Sequence, residues 1–133
     1  MKKQLVLLLF CAAIALSSCH HKEAGDHSSA KVKVTIMYPN SAGKNFDMDY
    51  YANTHMPMVA ELLGDAMKGF KIDKGVAGRT PDDALPYVAI GYLYFDSVEA
   101  YGEAFAPHAD KIRGDIPNYT DIMPVIQVSE IVR

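Results

Sequence analysis

Tryptophan is missing from this 133-residue chain, and its two cysteines, Cys11 and Cys19, both fall at the very start. Everything beyond Cys19 therefore lacks the means to form an internal disulfide, to use a thiol as a nucleophile or to build a cysteine metal site. The basic residues are scattered and the net charge is −3, so there is no clustered cationic face to neutralise phosphates. That excludes nucleic acid as a partner. The glycines are dispersed: neither G-x-G-x-x-G nor G-x-x-x-x-G-K occurs, and H-E-x-x-H is absent too. There is no heptad and no internal repeat. The length allows one domain.

What is present begins with a leader. Lys2 and Lys3 precede an almost purely apolar run over residues 4–16. That run is shorter than the roughly 20 residues a membrane-spanning helix needs, but it has the proportions of a secretory signal. Leu16-Ser17-Ser18-Cys19 follows and resembles a bacterial lipobox. The resemblance implies cleavage before Cys19, lipid on that cysteine, and a place in the bacterial envelope, anchored in the outer membrane and facing the periplasm. Loss of residues 1–18 takes two of the 13 basic residues, leaving 11 against 16 acidic ones and a net charge of −5. The only membrane contact expected is the anchor itself. Residues 19–30 (CHHKEAGDHSSA) are polar and aperiodic, which predicts a flexible tether. His20, His21 and His27 lie in it, but nothing there fixes a metal geometry, so no metal site is assigned.

Residues 31–133 form the domain. KVKVTIMY over 31–38 alternates, with Val32, Val34, Ile36 and Tyr38 on one face, as a half-buried strand does. PNSAGKN is turn chemistry, and Asp47 is placed to cap the next helix, with Asp49 favouring its positive end. Tyr51, His55, Met58 and Leu62 recur at helical spacing, and Gly64 is a natural stop. Pro57 should kink or split this helix near residue 56. A second strand is predicted over 69–77, a loop over 78–86 and a third strand over 87–95 (YVAIGYLYF), apolar on both faces. Asp96-Ser97-Val98-Glu99 resembles a capping box for a second helix through Tyr101, Phe105 and His108, which Pro107 should break. An irregular connection over 115–121 leads to a fourth strand over 123–132.

The order is β-α-β-β-α-β, an α+β ferredoxin-like arrangement with two helices on one face of a four-stranded sheet. A third strand apolar on both faces needs cover on the far side too. A second copy, packed sheet to sheet as a dimeric α/β barrel, would supply it.

Phe46-Asp47-Met48-Asp49-Tyr50-Tyr51-Ala52-Asn53-Thr54-His55-Met56-Pro57-Met58-Val59 resembles the EthD-family pattern of an acidic residue, an aromatic pair and His-x-Pro-hydrophobic. Residues 94–101 (YFDSVEAY), 115–121 (DIPNYTD) and 125–130 (VIQVSE) extend the likeness across the domain. The resemblance implies a homodimeric α/β barrel acting in small-molecule degradation or polyketide chemistry. Many such proteins are named reductases or oxidoreductases, and the same barrel carries cofactor-free oxygenases, cyclases, isomerases and haem-binding enzymes. An envelope location sits poorly with any role that consumes cytosolic NAD(P)H.

His55 is the first candidate for catalysis, since a half-buried imidazole titrates near neutral pH and can pass a proton. Tyr51, four residues earlier, shares its face and could hydrogen-bond a substrate oxygen. A core histidine satisfied by a backbone carbonyl is the plain alternative. Tyr38, His108, Tyr119 and Asp121 are candidate substrate-binding residues: Tyr38 as the end of an apolar strand face, Tyr119 and Asp121 as loop residues, with Asp121 able to orient a histidine. His108 also suits a helix C-terminus as a simple cation. The expected chemistry is acid–base, with no built-in cofactor, on a small apolar or aromatic compound. A non-catalytic binding module for such a ligand is the second reading. Haem held by His55 or His108 is the third.

Overall fold

The computed structural model describes residues 29–133. The leader, Cys19 and the tether histidines lie outside the described residues. Ala30, expected as the last tether residue, is already buried.

Seven elements follow. Strand β1 is Val32–Pro39. Helix α1 covers residues 48–63 in three joined pieces. β2 is Gly69–Lys74, β3 is Tyr87–Phe95, α2 is Val98–Phe105, α3 is Ala109–Asp115 and β4 is Val125–Glu130. The sheet order is β2-β3-β1-β4 with every neighbour antiparallel. This is the ferredoxin-like α+β fold, with the helices on one face.

Burial follows strand parity. Val32, Val34 and Tyr38 of β1 and Ala89, Leu93 and Phe95 of β3 are buried together with Tyr51, Met56, Val59 and Leu63 of α1 and Ile112 of α3. The apolar third strand thus alternates in burial though not in hydropathy: Ile90, Tyr92 and Tyr94, of opposite parity, stay half-exposed. β4 is an edge strand whose Val125, Ile126 and Val128 are 51%, 55% and 40% exposed, so its inner face also lies beyond the helices' cover.

Two strands are shorter than their patterns suggest. β2 ends at Lys74, although the Gly75 N–H still donates to the Val88 carbonyl at 3.0 Å, and Gly75 lies so close to the Tyr87 carbonyl that any side chain there would collide. β4 begins at Val125, since Pro124 has no N–H to contribute to a ladder.

Helix α1 changes type near residue 56, where Pro57 predicts a kink or split, but its pieces stay joined. Asp47 caps it, its carboxylate accepting from the Tyr50 N–H at 3.0 Å. Residues Tyr51–His55 then form a π-turn, in which the Met56 N–H reaches back to the Tyr51 carbonyl. The proline, which lacks a donor, falls just past this widened turn, and the helix runs on through Met56–Leu63 to Gly64, at φ 56°. The second helix behaves as expected at its start, where Ser97 Oγ accepts from the Ala100 N–H at 3.1 Å. Pro107 marks a 3-10 turn over Ala106–His108, after which α3 resumes the helical path.

Candidate functional site

The π-turn sets the site. It places Tyr51 and His55 almost directly above one another, their rings stacked 5.7 Å apart with 18° between planes. Both are buried, Tyr51 completely and His55 at 4% exposure.

His55 Nδ1 lies 2.8 Å from Asp115 Oδ2 at the end of α3. The other carboxylate oxygen, Oδ1, accepts from Tyr50 Oη at 3.0 Å and Asn118 Nδ2 at 2.8 Å. Burial works against ionising Asp115, but the hydrogen bonds from His55, Asn118 and Tyr50 outweigh it and hold its pKa below the usual carboxylate value. Burial pushes the His55 pKa down, and the Asp115 hydrogen bond and charge offset only part of that shift. The imidazole is therefore neutral at pH 7, with its proton on Nδ1 facing Asp115 and a lone pair on Nε2.

That lone pair is loosely engaged. Tyr119 Oη stands 3.4 Å from Nε2, long for a hydrogen bond, and Tyr119 Oη is itself 2.7 Å from Tyr38 Oη. Tyr119 owes its position to two loops stitched together. The Asp47 N–H donates to the Tyr119 carbonyl at 2.7 Å, Thr120 Oγ1 donates to the Asn45 carbonyl at 2.7 Å, and Phe46 bridges to Thr120.

Among the described residues the buried Tyr51 hydroxyl has no partner at good hydrogen-bond geometry, although it lies close enough to the Tyr38 phenol for the two to perturb each other's titration. It points into a notch in the sheet at Gly91, where a Cβ would collide with it. Burial, reinforced by Tyr38, drives the Tyr51 and Tyr119 pKa values far above that of a free phenol, so both hydroxyls stay protonated as donors.

Beside these groups is a cavity of about 100 Å³, lined by Tyr38, Tyr51 and His55 and by apolar side chains of the sheet and helices such as Val34, Val59 and Leu93. Of its lining residues, Arg113 and Ile126 are exposed, so it opens between α3 and β4. An apolar chamber with a neutral imidazole and a spare phenol is equipped to bind a small compound and move a proton.

The EthD domain family model matches residues 42–122. An EthD-like protein from Ralstonia eutropha JMP134 is 42% identical, with a TM-score of 0.75 over 79% of this chain and 95% of that one. The chain belongs to the EthD family. A Bacillus halodurans C-125 protein of the ethyl tert-butyl ether D family shares the fold at 17% identity and a TM-score of 0.60, over 77% of this chain and 99% of the other. So does a hydroxynitrile lyase from Passiflora edulis, at 13% identity and a TM-score of 0.50, over 77% and 94%. Among curated proteins none matches the sequence.

The fold gathers four of the expected site residues, His55, Tyr51, Tyr38 and Tyr119, into one aromatic cluster with Phe46 and Tyr50. Two stand apart. Asp121 is exposed and stitches the loops, accepting from the Asn45 N–H at 3.0 Å and pairing with Lys44 at 3.3 Å; Asp115, not Asp121, orients the histidine. His108 sits half-exposed in the 3-10 turn between α2 and α3 and does not line the cavity. Asp115, Tyr50, Asn118 and Arg113 were not legible as site residues. Asp115 did fall in the family-like segment 115–121, and it is a carboxylate near a helix C-terminus, where the dipole disfavours it. Among the described residues no group of His, Cys, Asp or Glu is arranged to hold a metal ion.

Proposed function

We propose that this EthD domain binds a small, largely apolar or aromatic compound and uses His55 as a general base. The observation that carries this is the imidazole held through Nδ1 by Asp115 at 2.8 Å, on the wall of an apolar cavity that the Tyr51 side chain also lines. In the proposed step Nε2 takes a proton from a C–H beside a carbonyl, or from an O–H, while the Tyr51 hydroxyl donates to the oxygen that gains charge. Lyase chemistry of the kind named for the Passiflora protein also begins with a proton leaving a hydroxyl, so the class includes it. The geometry favours no haem reading: a cavity of about 100 Å³ suits a single ring rather than a porphyrin, and His108 is outside it.

Deuterium uptake from D₂O into acetophenone and cyclohexanone tests the base. Wild type should accelerate it, and His55→Gln should lose on the order of 10²–10⁴-fold while staying folded. Uptake that persists in the variant contradicts the role. Binding of the ketones without any uptake in wild type would favour the non-catalytic binding module.

Two further parts belong to this proposal. The half-exposed outer face of β3 and the exposed Val125 of β4, paired with Met37 on the same face, support a homodimer packed sheet to sheet. The Lys2-Lys3 start, the apolar run and Leu16-Ser17-Ser18-Cys19 support lipidation of Cys19 and anchoring in the bacterial outer membrane, facing the periplasm.

A further inference from the structure

We propose that Arg113, at the mouth of the cavity, makes the site selective for small apolar compounds carrying a carboxylate or another planar anionic group. This names the substrate class of the proposed site and rests on the cavity being where substrate binds.

With His55 neutral, Arg113 is the one lining residue that bears a formal charge at pH 7. It forms no ion pair with a carboxylate among the described residues. Its neighbour Asp115 is occupied by His55, Tyr50 and Asn118. The guanidinium is instead held against the Phe105 ring, 5.4 Å from its centroid, and Phe105 lines the same cavity. A cation–π contact of this kind draws the guanidinium to the ring without using its N–H donors. A fork without a carboxylate partner among the described residues, at the rim of an apolar chamber, is suited to bidentate capture of a carboxylate.

Size limits the rest of the ligand. A cavity of about 150 Å³ holds benzene, so about 100 Å³ with an open mouth suits a single ring or a short chain. The ligand then spans the cavity: the anionic end outward at Arg113, the apolar body against Val34, Leu93 and Ile112, and the acidic C–H or O–H inward at His55.

A solvated cation that merely offsets the dipole of α3 would bind nothing selectively. The two roles separate in a binding experiment with charged and neutral pairs on the purified full chain: benzoate against benzamide, and hexanoate against hexanamide. Wild type should prefer each carboxylate by about tenfold or more. Arg113→Gln should bind both members of a pair equally, to within about twofold, with its melting temperature unchanged, and Arg113→Lys should keep part of the preference. Equal affinities in wild type, no binding of either carboxylate, or a preference that survives Arg113→Gln would each overturn the proposal. The base is judged separately. His55→Gln should retain the charge preference, so loss of deuterium exchange with preference intact implicates His55 alone, and exchange without preference overturns Arg113 alone.

Discussion

Asp115 occupies a place a carboxylate should avoid, the negative end of a helix, and three hydrogen bonds from His55, Tyr50 and Asn118 make it tolerable. Its replacement by Asn is therefore informative. The His55 pKa should fall further, because the charge that holds it up is gone, and proton transfer should drop by about 10²-fold or more as tautomer control is lost. A ring titration by NMR, beside the exchange assay, checks both. His55 itself couples site to stability. Its folded pKa lies below the usual value of about 6.5. As pH falls through that value the unfolded chain gains a proton that the folded chain refuses, so stability declines toward acid; above it His55 adds no slope. The melting temperature should thus fall between pH 7.5 and 5.5 more steeply in wild type than in His55→Gln. Gly91 answers to Tyr51 alone: a methyl there meets the phenol oxygen, so Gly91→Ala should cost about 1–3 kcal/mol in denaturant unfolding and displace the donor from the site.

At the scale of elements, what local chemistry dictates was legible and what packing dictates was not. β1 read correctly because its alternation matches a sheet with one covered face, and α2 because Ser97 caps it. Ser97→Ala should lower stability by about 1 kcal/mol without moving the His55 titration, measurable by denaturant unfolding. Pro57 marked the boundary near residue 56 but not its form: a π-turn over Tyr51–His55 precedes the proline, and Tyr51 stacks over His55 within it. Asp115 was hidden because its partner is sixty residues away in sequence, and no periodicity reports a contact made by two helices crossing one sheet. Asp121 drew attention as an acid near Tyr119, yet its carboxylate turns outward to Lys44 and the Asn45 amide.

For the whole molecule, two features lie beyond one domain's needs. The helices cover one face of the sheet, leaving Tyr92 and Tyr94 half-exposed and Met123, Val125 and Ile126 open along the edge. Native mass spectrometry of the purified protein should show a dimer, and a clean monomer would contradict the sheet-to-sheet proposal. The proposed lipid anchor rests on Leu16-Ser17-Ser18-Cys19, and under that proposal Cys19→Ala should move the protein from the membrane to the soluble fraction. Both leave the central claim to the domain itself: that Asp115 poises His55 as a neutral base at an apolar cavity. A long-range ¹H–¹⁵N NMR titration of the His55 ring tests this most directly. The account predicts the Nδ1–H tautomer at pH 7.5, with protonation only below about pH 6.5. An Nε2–H tautomer, or an imidazolium that persists at pH 7, would contradict it.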